Sequence, residues 1–306
     1  MFEVRRLRLL WELAAHGTIA AVAEACALSP SAVSQQLSLL EREVRTPLLI
    51  RDGRRLVLTE AARILVAHTE RVLAELEQAR AEVAALDHNV RGTVGLVAFP
   101  SAAGVLAAPA IAECQATYPD LRVLLGEEEP EQSVAGLRAR RIDVALVYEY
   151  NVLPRLHDAG IELQPLLHEP LLLALPPRRA TQMGDGGPGS LEGLSQARWI
   201  APGSDSALRS VLVRACNAAG FDPQLDYISD DYRVIMALVQ AGVGVSLIPR
   251  LAAEQLAAEV RLHPVTDLRL TRTVSVAVRS GSGGDPAIAA LVRSLRRVAG
   301  PLPNGG

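Results

Sequence analysis

The sequence predicts an α/β protein with an N-terminal winged helix-turn-helix (residues 1–58), a long linker helix (59–90) and a two-lobed, Rossmann-like module (91–300). Three patterns predict this organisation: two short helical segments separated by a tight break, one helical segment of about 28 residues, and strand-like runs that alternate with helices after Val90. The chain has 306 residues, of which 49% are hydrophobic, and can therefore form the cores of two or three folded units.

The helix-turn-helix is predicted from the signals that start its helices. An amphipathic pattern covers residues 2–16, and Thr18 can then cap a short helix over 19–26. Ser29 can cap a second helix over 30–44, whose first residue is proline, and proline is well tolerated at that position. Two helices joined by such a brief turn form a helix-turn-helix.

A hairpin is predicted directly after the second helix. Two short apolar runs within residues 48–58 flank the segment Arg51-Asp52-Gly53-Arg54. An Asp-Gly pair between strand-like runs is a strong hairpin signal. A hairpin in this place is the wing of a winged helix-turn-helix domain.

The linker helix, which Thr59 can cap, carries apolar side chains at the seven-residue spacing of a helix that packs along a partner helix. A lone helix would leave this stripe in water, so the spacing predicts dimerisation through the linker. Packing on the chain's own domains is the alternative. The predicted dimer contacts are Leu65, Val72, Leu76, Ala79, Val83 and Leu86, and Thr69 shares their spacing.

After Val90 the strand and helix patterns occur in two similar halves. Lobe I is predicted over about 91–162 and 268–300, and lobe II over about 163–267. In open α/β sheets, ligands bind in the crevice at the carboxyl ends of the strands. The pattern therefore predicts a ligand cleft between the lobes.

The second helix of the helix-turn-helix has an apolar inner face and a polar outer face that suits contact with DNA. The Gln35 amide can pair with adenine in a bidentate manner, whereas the wing arginines suit phosphates or the minor groove. A solvated helix face, with ordinary exposed arginines, is the alternative. The candidate DNA-binding residues are Thr18, Ser29, Ser31, Ser34, Gln35, Ser38, Arg42, Arg51, Arg54 and Arg55, and Arg45 lies on the same helix face.

The net charge does not identify a nucleic-acid partner by itself. The formal charge is -3, so any contact with DNA must depend on a local surface rather than on a general basic field. The excess of arginine over acidic residues in the first part of the chain is small. Affinity is therefore expected to depend on two such domains in one dimer.

The cysteines and the hydropathy of the chain indicate in which cellular compartment the protein is expected to act. Cys26, Cys114 and Cys216 are far apart and odd in number, which fits a reducing compartment and argues against a disulfide framework. Glu12 interrupts the apolar start of the chain, and no later run approaches the length of a membrane span. We expect a soluble, cytoplasmic protein with no membrane partner.

An enzyme is the main alternative class, because the segment GDGGPG at residues 184–189 matches the dinucleotide-binding pattern GxGxxG. Pro188 interrupts this segment and no strand leads into it, so a surface loop is the better interpretation. The histidines show no metal-ligand spacing, and the chain has neither a GxSxG motif nor a P-loop. We expect no catalysis, no cofactor and no metal.

Several of these segments resemble the LysR-type transcriptional regulators. The resemblance rests on GTIAAVAEACALSPSAVSQQLSLLEREV and PLLIRDGRRLVLTEAA in the first part of the chain, and on AIAECQATYPDLRVLL, RRIDVALVY and IMALVQAGVGVSLIP in the second. It covers nearly the whole chain. The chain departs from the family at Leu49-Ile50, where Leu-Phe is common, and at Ala62, where glycine is common.

This resemblance implies a dimer, often assembled into a tetramer, that binds operator DNA at an interrupted palindrome. A small-molecule effector between the two lobes of a periplasmic-binding-protein-type domain would change DNA bending and the recruitment of RNA polymerase. An effector-independent, architectural DNA-binding protein is the alternative, but it would leave a module of about 200 residues without a role.

By position, the resemblance puts a loop of each lobe at a helix start that faces the cleft. Backbone amides and hydroxyls there would suit a carboxylate, and helix capping explains the same residues equally well. Acidic residues at the cleft would favour a ligand that also carries a positive group, such as an amino acid, unless residues 127–129 are a solvated loop. The candidate effector-binding residues are Ser101, Ala102, Glu128, Tyr148, Ser204 and Asp231.

Overall fold

The computed structural model describes residues 2–52, 55–87, 89–155, 158, 160–177, 189–254 and 260–300. Gly53 and Arg54 of the predicted wing and residues 184–188 of the glycine-rich segment lie outside the described residues. Each of the three predicted parts of the chain is represented among the described residues.

Three helices and a two-stranded hairpin form the N-terminal domain. The helices are α1 (Val4–His16), α2 (Ile19–Ala25) and α3 (Pro30–Val44). The strands β1 (Leu49–Asp52) and β2 (Arg55–Leu58) pair in antiparallel fashion. The apolar faces of these elements meet in one core, which confirms the predicted helix-turn-helix and wing.

The predicted caps fix the starts of α2 and α3. The Thr18 Oγ1 atom accepts a hydrogen bond from the backbone N–H of Ala21 at 3.2 Å, and the Ser29 Oγ atom accepts one from Ala32 at 3.1 Å. These bonds satisfy amides that have no partner within the helix. At the other end of α3, Arg45 adopts a left-handed backbone conformation that turns the chain toward the hairpin.

The linker is a helix of 26 residues, α4 (Glu60–Ala85), which connects the N-terminal domain to the two lobes. Thr59 caps it by accepting a hydrogen bond from the backbone N–H of Ala62 at 3.2 Å. On the side that faces lobe I, the buried Glu77 forms ion pairs with Arg140 and Arg279. One face of the linker is therefore held by its own chain.

Lobe I contains parallel strands flanked by helices. The strands β3 (Gly92–Ala98), β4 (Leu121–Glu127) and β5 (Val144–Tyr150) lie in the order β4-β3-β5, and β11 (Thr271–Arg279) continues the sheet antiparallel to β5. The helices are α5 (Pro100–Ala102), which passes through a π-helical turn (Ala103–Ala107) into α6 (Ala108–Thr117), then α7 (Pro130–Arg138) and α11 (Pro286–Ala299).

One long strand, β6 (Ile161–Leu175), runs through both lobes. Ile161–Pro170 pair with β11 of lobe I, whereas Leu171–Leu175 pair with strands of lobe II. The predicted boundary between residues 162 and 163 therefore falls inside this strand. The continuous extended run gives no local signal at the point where its pairing partner changes.

Lobe II also consists of paired strands flanked by helices. A parallel pair, β7 with β8, lies beside the extension of the main sheet that β6 forms with β9 and β10. Its elements are β7 (Arg198–Ala201), α8 (Ala207–Ala218), β8 (Gln224–Ile228), α9 (Tyr232–Gln240), β9 (Ser246–Pro249), α10 (Arg250–Glu254) and β10 (Arg261–Pro264).

The contact between the linker and lobe I depends on Gly281, which has a φ of 85° and no room for a Cβ against the Ala74 carbonyl oxygen. An alanine in the left-handed backbone region costs ~1–2 kcal/mol. We predict that Gly281→Ala lowers the free energy of unfolding by more than this amount, because the clash of the new Cβ with Ala74 adds to the cost. The matched control is Gly242→Ala, which has a φ of 80° but open space around the new Cβ. Urea midpoints followed by circular dichroism measure both, and equal losses would contradict close packing of α4 on lobe I.

Candidate nucleic-acid interface and ligand cleft

The helix α3 presents its predicted polar face to solvent. Val33, Leu37 and Leu40 are buried in the N-terminal core, as the inner face requires. Gln35 is exposed, whereas the adjacent Gln36 accepts a hydrogen bond from Arg6 Nε at 3.1 Å. The outward-facing candidates are all exposed: Ser31, Ser34, Gln35, Ser38 and Arg42.

Two further candidates, Thr18 and Ser29, are exposed at helix starts and serve as caps. A capping hydroxyl accepts a bond from the backbone through its oxygen and keeps its own proton for donation. Both residues can therefore stabilise a helix and still donate to a phosphate oxygen.

The wing is tied to α3 by Glu41, whose Oε1 atom accepts hydrogen bonds from the backbone N–H groups of Leu48 at 2.8 Å and Leu49 at 3.1 Å. Arg51 is exposed on β1. Arg55 begins β2, but its side chain lies outside the described part of the molecule, as does the whole of Arg54. The two bonds from Glu41 therefore help to fix the position of the first wing strand relative to α3.

The apolar stripe of the linker divides into two parts. Leu65 packs against the N-terminal core, and the hydroxyl of the buried Thr69 donates to the Leu65 carbonyl at 2.7 Å. Own-chain packing thus accounts for the first turns of the stripe. Farther along, the apolar side chains face solvent, and the exposed positions are Val72, Leu76, Ala79, Val83 and Leu86.

A cavity of about 440 Å³ lies between the lobes. Of the candidate effector-binding residues, Ser101, Tyr148 and Ser204 line it. Lobe I contributes the start of α5 and the end of β5, and lobe II contributes the loop before α8 and the start of α9. The predicted location at strand ends and helix starts is therefore where the cavity lies.

Arg272 lies at the floor of this cavity and is only 1% exposed. Its Nε atom donates to Glu169 Oε1 at 2.5 Å, and its Nη2 atom donates to Ser101 Oγ at 3.2 Å. Burial opposes the charged form, but Tyr150 and Glu169 raise the pKa of Arg272 above its ordinary value. The guanidinium therefore remains charged and is neutralised by its own carboxylate partner.

The cavity wall holds more acidic than basic groups. Tyr148 donates its hydroxyl proton to Glu129 Oε2 at 2.7 Å, and burial together with Tyr150 and Glu129 raises the pKa of Tyr148, so this proton is retained. Asp230 accepts a hydrogen bond from the backbone N–H of Gly203 at 2.9 Å. The carboxylates that line the cavity are Glu129, Glu131, Asp205 and Asp230.

Three candidate residues do not line the cavity. Ala102 is fully buried in the core of lobe I. Glu128 is half-buried beside Gly136 of α7. Asp231 caps α9 by accepting a hydrogen bond from the backbone N–H of Arg233 at 2.8 Å, and its neighbour Asp230 takes the place in the cleft. In each case an adjacent residue lines the cavity, since successive side chains in a loop point in different directions.

Sequence reasoning missed Arg272, Tyr232 and Glu129, which all line the cavity. Arg272 and Glu169 are 103 positions apart, in strands that look like ordinary alternating runs. The sequence signal for this site is that Arg272 lies within an apolar, strand-like run, because a charged side chain buried in a strand needs a partner. Tyr232 follows the candidate Asp231 directly and starts a predicted helix.

Two family models match the chain. The model described as bacterial regulatory helix-turn-helix protein, lysR family, matches residues 4–63, and the LysR substrate binding domain matches residues 87–300. Among the relatives, the HTH-type transcriptional regulator GalR of Pseudomonas putida is 29% identical over 309 residues, which cover 97% of this chain and 74% of that protein.

Solved structures with the same fold include regulators from this family. A full-length variant of OxyR from Pseudomonas aeruginosa is 22% identical, covers 97% of this chain and 95% of its own, and has a TM-score of 0.59. Full-length CbnR complexed with its target DNA is also 22% identical, covers 98% of this chain and 100% of its own, and has a TM-score of 0.55.

The exposed amide of Gln35 leads to a prediction about base readout. Gln35→Ala should cost about 1–3 kcal/mol on the preferred duplex and almost nothing on a duplex changed at one base pair, because the lost bond is to that base. Arg51→Ala, the control, should weaken binding of both duplexes equally and reduce the salt dependence. Fluorescence anisotropy at several salt concentrations measures both. An equal loss on every duplex for Gln35→Ala would refute its role as a base-reading residue.

Proposed function

Because the chain belongs to the lysR family of DNA-binding transcriptional regulators with an effector-binding domain, we propose that α3 and the hairpin bind operator DNA and that the interlobe cleft binds a small amino acid-like effector. The observation that carries this proposal is the exposed polar face of α3 on a chain whose two lobes enclose a polar cavity. The linker helix α4 joins the domain that contains α3 to the two lobes.

In the proposed DNA complex, α3 enters the major groove. Gln35 reads a base edge, while the three serines of the same face and Arg42 approach bases or phosphates. Thr18 and Ser29 contact the backbone at helix starts, and the wing arginines contact phosphates or the minor groove. The exposure of Gln35, Arg42 and Arg51, and of the serine and threonine hydroxyls of this set, supports the arrangement.

The proposed effector carries both a carboxylate and an ammonium group. Among the described residues, four carboxylates line the cavity against one guanidinium, that of Arg272, which Glu169 already neutralises. This balance favours a positive group on the ligand. The Ser206 hydroxyl, which makes no capping bond, and the backbone amides of Ala207 and Leu208 in the first turn of the 12-residue helix α8 suit a carboxylate at the other end.

We propose a signal other than peroxide, although several relatives are named hydrogen peroxide-inducible genes activators. A reactive cysteine needs a thiolate, which burial disfavours. Cys114 is buried, burial raises the pKa of Cys216 to about 12, and burial and Glu12 raise the pKa of Cys26. These are all the cysteines of the sequence.

The remaining proposals concern partners and compartment. We propose a dimer through the exposed part of the linker stripe, assembly into a tetramer, contact with RNA polymerase, and action in the cytoplasm without catalysis. Regulators that match the chain over most of its length support a regulatory rather than a catalytic role. None of the helices in the described residues combines the length and apolar character that crossing a bilayer requires.

Selection from a random duplex library with the full-length chain tests the DNA-binding proposal. Repeated rounds at a stated salt concentration, with unrelated DNA as competitor, should enrich a site with two-fold symmetry. A symmetric site supports a dimer on operator DNA. Enrichment of no sequence, with binding that competitor DNA abolishes, would contradict sequence-specific recognition.

Dimerisation through the linker predicts the effect of a charge in the stripe. Val83 is 69% exposed in the single chain, so Val83→Arg should leave the fold intact but place a desolvated charge in the dimer and lower the mass in solution. Gln78→Arg, which lies about 120° around the helix from the stripe, is the control and should leave the mass unchanged. Sedimentation equilibrium measures both. An unchanged mass for Val83→Arg would place the dimer contact elsewhere.

The acidic cleft predicts which compounds stabilise the chain. In a thermal-shift screen, amino acids should raise the melting temperature by roughly 5 °C at concentrations near one hundred times Kd, whereas simple carboxylates should not. Asp230→Asn should reduce this shift, because it removes a charge from the cleft but can still accept the bond from Gly203. Asp231→Asn is the control, since it lies outside the cleft and asparagine also caps helices. A larger shift with simple carboxylates would contradict a zwitterionic effector.

A further inference from the structure

The helix α7 (Pro130–Arg138) connects the cleft to the N-terminal domain. Its N-cap residue, Glu129, lines the cleft and accepts the hydrogen bond from Tyr148, and Glu131 of its first turn lines the same cavity. Its last residue, Arg138, contacts α1. Nine residues span only about 13 Å, so one short rigid element reaches both places.

At the α1 end, Arg138 is almost completely buried among groups from two domains. Its Nε atom donates to Glu12 Oε2 at 3.2 Å, and its Nη1 atom donates to Asp158 Oδ2 at 2.9 Å. The guanidinium carbon lies 3.3 Å from the centre of the Trp11 ring. Glu12 and Trp11 belong to α1, whereas Arg138 and Asp158 belong to lobe I.

This contact has the properties of a two-state docking. Glu12 is 2% exposed and Arg138 is 8% exposed, so a partial separation would break their ion pair before water reaches either group, which is unfavourable. Asp158 stays beside Arg138 and Arg8 stays beside Glu12 when the two domains separate, which limits this cost. Full separation returns both charges to water. The docked and undocked arrangements are therefore distinct states rather than points on a continuous range.

Two further contacts define the docked arrangement. Arg8 of α1 donates from Nη2 to the Arg138 carbonyl oxygen at 3.0 Å. Gly160 lies so close to Trp11 that a Cβ at this position would overlap the indole ring. The indole therefore fits a space that only glycine at position 160 provides.

The middle and the last turn of α7 pack on the core of lobe I. Val134 and Leu137 pack against Ala145 and Val147 of β5, the strand that continues to Tyr148. A change in the hydrogen bond between Tyr148 and Glu129 therefore acts on the start of a helix whose remainder is held by packing. Because α7 is one short helix, we expect a displacement of its start to shift Arg138 at its end as well.

We propose that α7 couples the ligand cleft to the orientation of the N-terminal domain, because it holds the Tyr148–Glu129 bond at one end and the docking of α1 on Arg138 at the other. This inference rests on the proposed role of the cleft in effector binding. An effector that engages Glu129 shifts the docking equilibrium by no more than its difference in affinity for the two states.

Accessibility of Trp11 to acrylamide tests the docking without DNA or an effector. The chain has two tryptophans, and Trp199 is buried in lobe II, so a change in quenching reports on Trp11. Gly160→Val should expose Trp11 and increase quenching, and Arg138→Ala should do the same if it folds. Arg141→Ala, an exposed arginine three positions along, is the control and should leave quenching unchanged. Unchanged quenching for Gly160→Val in a folded protein would overturn the docking.

The coupling is tested from the cleft end with Tyr148→Phe, which removes only the hydroxyl that donates to Glu129. It should increase quenching of Trp11 in the otherwise unchanged chain and have no further effect in the Gly160→Val background, as a double-mutant cycle requires. On a duplex obtained by selection, it should change affinity by about fivefold or more only when docking is possible. Equal effects of Tyr148→Phe on quenching in both backgrounds would overturn the coupling. Failure to select any duplex would count against the proposed function instead, and the quenching result alone would then decide whether α7 couples the two sites.

Discussion

A buried ion pair at the floor of the cleft holds the two lobes together. Arg272 of β11 and Glu169 of β6 lie where the strand pairing changes from lobe I to lobe II. The second carboxylate oxygen of Glu169 accepts a hydrogen bond from the backbone N–H of Leu251 at 2.7 Å, in α10 of lobe II. Removing either charge would leave the other buried, at a cost of about 3–5 kcal/mol. Elements of both lobes therefore meet at this pair.

The pair also determines what the cleft can bind. Because Glu169 satisfies Arg272, the guanidinium contributes little positive potential, and the carboxylates of Glu129 and Asp230 dominate the wall. Phe99 and Tyr148 cover the guanidinium, with ring centres 4.9 Å and 5.2 Å from its carbon. Arg272 thus has a structural role at the floor of the cleft, and the residues around it form the walls.

The N-terminal domain could be predicted closely from the sequence because its signals are local. Thr18 and Ser29 cap helices within three residues of their partners, and Pro30 occupies a first helical position. The cleft could be located but not described in detail. Its floor joins residues 103 positions apart, and the choice between Asp230 and Asp231 depends on side-chain direction within one loop.

The linker and α7 together explain how distant parts of the chain are connected. One face of α4 is held by lobe I through Glu77, while Val83 and Leu86 on another face remain exposed for a partner. The N-terminal domain is held by the linker at Leu65 and by α7 at Arg138. A change in the cleft has a direct route to this second contact.

If the cleft and the DNA-binding surface are linked, the affinity for a selected duplex should differ with and without a stabilising amino acid. We predict that the compound changes duplex affinity at least about fivefold and that the duplex changes the affinity for the compound by the same factor. A compound that binds the cleft and leaves duplex affinity unchanged at every concentration would show that the cleft and the DNA-binding surface are not linked.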